Sequence, residues 1–226
     1  MTEKAREVFA SCEVIAGYTV YVELLKEACP GAEYITTPMR REVERCRLAF
    51  ESAAEGKTTA MVCSGDAGIY GMAGLMYEVG EEYPQVEIEV VPGVTAALGG
   101  AAVLGAPLGH DLCIISLSDL LTPWETIEKR LLSAAAADFV ICLYNPASRK
   151  RKDYLKKACE ILMNHKPTDT VCGIVRSIAR EGESFQILTL GELKDAEADM
   201  FSTVYIGNHE TKVIRGRMVT PRGYQL

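Results

Sequence analysis

The chain is poor in aromatic residues and histidine, and it lacks the spacings of the common metal sites. Of its 226 residues only 7% are aromatic, with one Trp and three His. Eight cysteines are present, but no two of them stand in CxxC spacing. Because zinc and iron–sulfur sites usually need such closely spaced ligands, the sequence predicts no metal site of its own.

Long apolar stretches and disulfide patterns are also absent. Most cysteines lie inside short apolar runs such as MVCSG and VICLY, which is typical of buried thiols in a reducing compartment. No apolar run approaches the roughly 20 residues that cross a bilayer. The N-terminal MTEKAREVFASCEV is a charged amphipathic segment rather than a signal peptide. We therefore expect a cytoplasmic protein with no membrane partner.

An excess of basic charge is missing as well. The net charge is −7, which argues against nucleic acid as a partner, since phosphate binding depends on clustered Lys and Arg. Local basic groups remain at Arg149-Lys150-Arg151-Lys152 and at Arg40-Arg41. Each is either a solvated helix end or a site for an anionic ligand, and composition alone leaves both interpretations open.

The nucleotide fingerprints GxGxxG and GK[ST] are absent, but residues 58–71 contain another glycine-rich junction. The sequence TTAMVCSGDAGIYG begins as a short apolar run, typical of a buried strand, and then breaks at Ser64-Gly65. Glycines stand at 65, 68, 71 and 74. Glycine lets a ligand or another backbone approach closely, and open α/β sheets bind ligands at strand ends. The alternative is a tight strand–helix turn with no ligand.

Strand and helix patterns alternate along the chain, which predicts an α/β protein with open parallel sheets. Residues 69–79 fit a helix and residues 86–91 a strand. The breaker-rich segment 105–110 reads as a linker. Two late strands with little helix between them, near 185–190 and 203–206, indicate a mixed sheet. We therefore expect two α/β domains, 1–108 and 109–226, with the site in a cleft between them.

Four predicted strand ends are rich in small and polar residues. They cover residues 64–71, 90–97, 115–124 and 143–153. Each could be a structural turn when it is taken singly. Because two fall in each expected domain, their joint occurrence favours one shared cleft site.

The motifs in these loops and beyond them resemble a known family. They are GDAGIYG (65–71), PGVTA (92–96), GHDLCIISLSDLLTPW (109–124), FVICLYNPASRKR (139–151), GIVR (173–176) and IGN (206–208). Together they resemble the tetrapyrrole methylases, which depend on S-adenosyl-L-methionine, and within that family the C17 methyltransferases of cobalamin biosynthesis. A sister methyltransferase such as the precorrin-4 C11 enzyme, or a tetrapyrrole-binding module without catalysis, stays open as an alternative.

The resemblance implies a homodimer of two-domain α/β chains with the cofactor S-adenosyl-L-methionine in the inter-domain cleft. Family members hold it largely through backbone groups, which suits the glycine content. The residues implied in cofactor binding are Gly65, Asp66, Ala67, Ile69, Tyr70, Thr95, Ala96, Tyr144, Asn145, Arg176 and Asn208.

The implied substrate is a tetrapyrrole that bears many carboxylates, and Arg and Lys are the side chains that bind them. The candidates are Arg149, Lys150, Arg151 and Arg40. The C17 branch also contracts the ring, which needs proton movement. The candidate catalytic residues are His110, Asp111, Ser118 and Asp119. For His110 the alternative is a structural role in the linker.

The resemblance fails at the start of the chain. Family members usually open with an apolar strand and a GxGPGD-type loop, whereas Met1-Thr2 aligns with the helix start that follows them. We expect the corresponding sheet edge to be exposed.

Overall fold

The computed structural model describes residues 1–148 and 151–225. The chain divides into two compact units, Met1–Thr95 and Ala96–Leu226, called here the first and second unit. Each is an α/β unit with its own sheet, which confirms the predicted fold class. The division falls earlier than the predicted boundary at residue 108.

The first unit is built on a parallel sheet of three strands in the order β2-β1-β3. Short apolar strands alternate with helices, as the sequence pattern predicts. The elements are α1 (Glu3–Ser11), β1 (Val14–Tyr18), α2 (Thr19–Glu23), β2 (Glu33–Thr37), α3 (Glu42–Ala54), β3 (Thr59–Val62) and α4 (Ala73–Gly80).

Both faces of this sheet are covered. Ile15, Val22 and Val62 belong to one cluster of buried side chains. Cys46 and Phe50 of α3 belong to another, which α4 completes. Because β1 is central and covered on both faces, its residues are almost all apolar, as parallel strands require.

The predicted strand at residues 86–91 is wrong. Val86 and Ile88 do pack against the cluster around Phe50, while Glu87 and Glu89 are exposed, so the alternating burial of a strand is present. Among the described residues, however, no ladder includes this segment. A strand needs a hydrogen-bonded neighbour, and the alternating pattern does not reveal whether one is present.

The helix predicted from residue 69 begins later, at Ala73. Tyr70 has a left-handed backbone with φ of 54°, which is incompatible with a continuing right-handed helix. The segment between β3 and α4 is therefore an irregular loop that is longer than the sequence predicts.

The second unit contains a mixed sheet of five strands in the order β5-β6-β9-β7-β8 and a small sheet β10-β11-β4. The predicted mixed sheet is confirmed. The elements are α5 (Ala96–Leu104), β4 (Gly105–Ala106), β5 (Leu112–Ser116), α6 (Trp124–Ala136), β6 (Val140–Tyr144), α7 (Tyr154–Leu162), β7 (Val171–Arg176), β8 (Ser184–Thr189), α8 (Leu190–Leu193), β9 (Ser202–Ile206), β10 (Lys212–Ile214) and β11 (Arg217–Val219).

Helix α5 belongs to the second unit because it covers one face of this sheet. Leu104 packs with Cys142 and Tyr205, and the Tyr205 hydroxyl donates to the Ala96 carbonyl at 2.8 Å. Helices α6 and α7 cover the opposite face. These contacts explain why the units divide at Thr95 and not in the glycine-rich segment further on.

No helix in the described part of the chain combines the length and apolar character that a membrane span requires.

Gly17 in β1 gives a direct test of the packing in the first unit. A Cβ at this position would overlap the side chain of Val62 and lie 2.9 Å from Cγ2 of Val22. We expect Gly17→Ala to lower the free energy of unfolding by about 1–3 kcal/mol, measured by urea denaturation. Gly31→Ala is the matched control, because nothing lies within 4 Å of its Cβ position. Equal stability of the two variants would contradict this account.

Candidate functional site

The three parallel strands of the first unit end at one edge of the sheet, at Tyr18, Thr37 and Val62. The glycine-rich loop 64–71 follows β3 at this edge, and most of its residues are exposed. A loop follows this strand as predicted, and its role in facing a ligand stays a prediction.

Asp66 connects this loop to the segment that precedes α5. Its Oδ1 accepts the Gly68 N–H and its Oδ2 accepts the Gly93 N–H, both at 2.8 Å. The Gly93 and Gly68 donors hold the pKa of the Asp66 carboxyl below its usual range. Both carboxylate oxygens are thus used within the protein. Asp66 therefore links the loop to the segment around Gly93.

Gly93 is required by the close approach of these two segments. A Cβ on Gly93 would overlap the carbonyl oxygen of Gly65. Gly65 itself has φ of 78°, a conformation that favours glycine. Buried Thr95 follows two residues after Gly93. The structure therefore brings the predicted cofactor residues of the first unit together, with Ile69 and Tyr70 on the exposed side of the loop.

A cavity of about 220 Å³ lies beside this loop at the same edge. Its lining residues are Tyr18, Tyr21, Met39, Glu42, Arg45, Val62, Cys63, Ser64, Tyr70, Gly71 and Met72. Burial raises the pKa of the Cys63 thiol, so it is a poor nucleophile at neutral pH. Arg40 lines a neighbouring open depression instead. Its backbone N–H donates to Glu42 Oε1 at 3.0 Å.

Arg45 in this cavity is the functional candidate that the sequence interpretation missed. It is 3% exposed and lies on the buried face of α3. Its position one turn before buried Ala49, and two turns before buried Ser52, could have identified it, because this spacing marks the buried face of a helix.

In the second unit, β5, β6 and β7 run in the same direction and end at one edge of the sheet. The Tyr144 hydroxyl accepts the Ala97 N–H at 2.6 Å. Asn145, with φ of 53°, donates from Nδ2 to Ser116 Oγ at 2.9 Å. The same Ser116 oxygen accepts the Ser118 N–H at 3.2 Å. The structure therefore places Tyr144, Asn145 and Ser118 close together.

Asp119 and Arg151 form an ion pair at this edge. The Arg151 Nε lies 2.6 Å from Asp119 Oδ1, and Tyr154 donates its hydroxyl to Oδ2 at 2.6 Å. Arg151 also donates to Ser118 Oγ at 3.4 Å. The Tyr154 hydrogen bond, with the Arg151 charge, lowers the pKa of the Asp119 carboxyl. Asp119 is consequently ionised at neutral pH and holds Arg151 in place.

Other predicted residues lie elsewhere. His110 and Asp111 precede β5, whereas Ser118 and Asp119 follow it. A strand advances roughly 3.3 Å per residue, so β5 separates the two pairs by about 13 Å or more. The four predicted catalytic residues are not brought together. Two substrate candidates, Arg149 and Lys150, lie outside the described residues.

Asn208 and Arg176 are both predicted to bind the cofactor, but they lie at opposite ends of the strands of the sheet. Asn208 follows Ile206, which pairs with Ile141 near the start of β6. Its Oδ1 accepts the Glu210 N–H at 3.1 Å, so it stabilises a turn. Arg176 ends β7, on the edge that carries Tyr144, and donates to the Glu197 carbonyl.

Metal ligands are not clustered in the described ranges, which contain no group of three or more His, Cys, Asp or Glu able to hold an ion.

The sequence of this chain matches the model of a known protein family. The model of Tetrapyrrole (Corrin/Porphyrin) Methylases matches residues 1–194. The chain belongs to this family.

Similar sequences carry more specific names. A probable cobalt-factor III C(17)-methyltransferase of Salmonella typhimurium is 48% identical over 227 residues, covering 100% of this chain and 94% of that protein. The cobalt-factor III methyltransferase of Priestia megaterium is 44% identical over 100% of this chain, which spans only 43% of that longer protein. A precorrin-3B C(17)-methyltransferase of a Sinorhizobium species is 39% identical, covering 99% of this chain and 91% of that protein.

Solved structures share the fold. The crystal structure of the methyltransferase CobJ superposes with a TM-score of 0.90 at 36% identity, covering 98% of this chain and 93% of that one. The uroporphyrin-III C-methyl transferase from Thermus thermophilus complexed with S-adenyl homocysteine has a TM-score of 0.70 at 19% identity, covering 92% of this chain and 90% of that one. At that lower identity the likeness concerns the fold alone.

The two hydrogen bonds that Asp66 accepts, from Gly68 and Gly93, are called here the Asp66 tether. Their role can be tested without a ligand. Asp66→Asn replaces one accepting oxygen with an N–H₂ group, so one of the two hydrogen bonds is lost. We expect faster hydrogen exchange at the Gly68 or Gly93 amide, measured by NMR at pH 6. Asp169→Asn, a change of an exposed aspartate outside the site, is the matched control.

The same tether predicts a pH dependence. The folded pKa of Asp66 is depressed, so its stabilisation is present above the ordinary aspartate pKa and is lost as the pH falls through the lower folded value. Protection of both amides in the parent protein should decline at acid pH. Unchanged exchange in Asp66→Asn would show that the loops hold their shape without this carboxylate.

Proposed function

We propose that this chain is an S-adenosyl-L-methionine-dependent methyltransferase that methylates C17 of precorrin-3B or cobalt-factor III, with ring contraction, in cobalamin biosynthesis. The observation that carries this proposal is the 48% identity to a probable cobalt-factor III C(17)-methyltransferase over the whole chain. The motif GHDLCIISLSDLLTPW, which resembles the C17 branch in particular, supports the choice of ring position.

The loop 64–71 suits the methyl donor because it is rich in glycine and both oxygens of its one carboxylate already accept N–H groups of the protein. Asp66 is occupied by Gly68 and Gly93, and Gly65 allows close approach of a ligand to the chain. When bound, S-adenosyl-L-methionine supplies a methyl group on a positively charged sulfur. Ile69 and Tyr70 offer exposed side chains against which an uncharged part of the donor can pack.

The contribution of the protein to methyl transfer is alignment. Holding two reactants in the right geometry lowers a barrier by up to roughly 7–11 kcal/mol, and no activated nucleophile of the enzyme is needed. The buried cysteines agree with this, since burial raises the pKa of Cys46 and of Cys113 to about 11.

Substrate carboxylates are the proposed ligands of Arg151. Asp119 and Ser118 hold its guanidinium, and its side chain is 17% exposed, so part of it remains available. A fixed guanidinium loses less entropy on binding a carboxylate than a mobile one does. Asp119 acts as a positioning residue for Arg151, and its lowered pKa makes it a poor proton donor for ring contraction.

The decisive experiment is an anaerobic assay with S-adenosyl-L-methionine and either cobalt-factor III or precorrin-3B. Mass spectrometry reports the added methyl group, and the visible spectrum or NMR reports contraction, which leaves the mass unchanged. We expect one methyl added to at least one of the two substrates. Calorimetry with S-adenosylhomocysteine accompanies the assay. Binding of macrocycle without heat from S-adenosylhomocysteine would point to a tetrapyrrole-binding module instead.

A second test compares Asp119, which follows β5, with His110, which precedes it. We expect Asp119→Asn to raise the KM for the macrocycle by about tenfold, because Arg151 loses its partner, and to leave affinity for S-adenosylhomocysteine unchanged. Asp119→Glu should restore part of the loss. His110→Ala, at the other end of the strand, is assayed alongside, because His110 is a candidate for the proton transfer. A larger effect of His110→Ala on contraction than on methylation would instead assign the proton transfer to His110.

The homodimer implied by the family resemblance and the cytoplasmic location stay predictions. Sedimentation of the purified chain would measure the oligomeric state directly.

A further inference from the structure

Arg45 is a buried cation whose polar partners are all neutral. Its Nε donates to Thr37 Oγ1 at 2.9 Å, and its Nη2 donates to the carbonyls of Thr37 at 3.3 Å and Pro38 at 3.1 Å. Its Nη1 lies 3.3 Å from Met72 Sδ. The ring of Tyr18 lies 6.0 Å from its central carbon.

Arg45 forms no ion pair with any carboxylate in the described part of the chain. Within residues 1–148 and 151–225, every carboxylate oxygen is more than 4.0 Å from the nitrogens of Arg45. Glu42 lines the same cavity. Its carboxylate forms no ion pair with Arg45, and its Oε1 accepts the backbone N–H of Arg40. Buried charges are normally paired, because desolvation without a partner is costly. Because Arg45 has no ion-pair partner among the described residues and lies beside a cavity, it is a candidate site for an anionic group of a ligand.

The cavity gives that anion a place. Arg45 forms part of its wall together with Tyr18, Met39, Cys63 and Met72. A thioether is a weak acceptor, so an anionic oxygen entering the cavity would replace Met72 Sδ at Nη1 with a stronger bond. At about 220 Å³ the cavity is smaller than the roughly 300–1,000 Å³ of whole-ligand pockets. It suits one side arm of a larger ligand.

We propose that Arg45 binds a carboxylate of a ligand that reaches into this cavity. The proposal rests on the proposed function, which supplies two carboxylate sources: the peripheral side chains of the macrocycle and the amino-acid end of the methyl donor. It adds a buried binding residue in the first unit to the cations that the sequence suggested.

A purely structural role for Arg45 makes a different prediction. Its bonds to Thr37 and Pro38 could simply hold the segment between β2 and α3. Thr37→Val removes the hydroxyl acceptor and keeps the guanidinium, so it weakens that support without removing the charge. Thr37→Val is therefore the matched control for Arg45→Met.

The test is equilibrium binding without turnover. Arg45→Met, Arg45→Lys and Thr37→Val are titrated with S-adenosylhomocysteine by calorimetry and with cobalt-factor III or precorrin-3B by visible absorbance. Circular dichroism reports the fold of each variant. We expect Arg45→Met to lose roughly 10- to 100-fold in affinity for one ligand, the range for a hydrogen bond to a charged group. Arg45→Lys should recover part of the loss, and Thr37→Val should stay within about threefold of the parent.

The ligand whose affinity falls in Arg45→Met identifies the source of the carboxylate. A loss for the macrocycle alone assigns a peripheral side chain, and a loss for S-adenosylhomocysteine alone assigns the methyl donor. If Arg45→Met is not native, Arg45→Lys carries the test, because it keeps the charge and loses the planar fork. A native Arg45 variant that binds both ligands like the parent, or an equal loss in Thr37→Val, would overturn the proposal. A parent protein that binds neither ligand would overturn the proposed function as well.

Discussion

One carboxylate determines the shape of the glycine-rich loop in the first unit. Asp66 accepts N–H groups from its own loop and from Gly93, 27 residues further along the chain. The two segments approach closely at Gly93, where the Gly65 carbonyl leaves no room for a side chain. Both oxygens of a carboxylate that the family resemblance assigns to cofactor binding thus accept N–H groups of the protein itself.

The corresponding edge of the second unit is organised by neutral hydrogen bonds. Ser116 Oγ accepts from Asn145 and from the Ser118 N–H, and the Tyr144 hydroxyl accepts from Ala97 at the start of α5. The ionic feature there is Asp119 with Arg151. Polar side chains at both edges mainly fix the protein, which suits an enzyme whose chief task is to align two ligands.

The alternation of strands and helices was sufficient to predict two α/β units and the mixed sheet. The same alternation gave wrong predictions where the structure depends on strand pairing or on an unusual backbone conformation. Residues 86–91 have the alternating burial of a strand, but strand formation depends on a neighbour that the pattern cannot reveal. The helix near Tyr70 starts late because a residue other than glycine adopts a left-handed backbone, for which the sequence gives no signal.

The sequence predicted the part of the candidate site that depends on glycine, because glycine spacing is visible in the sequence. It did not predict the part that depends on which side chains are buried. The spacing at 65, 68 and 71 located the loop beside the cavity. His110 and Ser118 lie in one motif, but a strand separates them in the structure, and spacing along the chain does not show whether two such residues meet. In RREVERCR every cation looks like a solvated helix residue, yet Arg45 alone of the four is buried. A guanidinium at that position adds a desolvation cost that Leu or Met would avoid, and the residue type gives no sign that the side chain is buried.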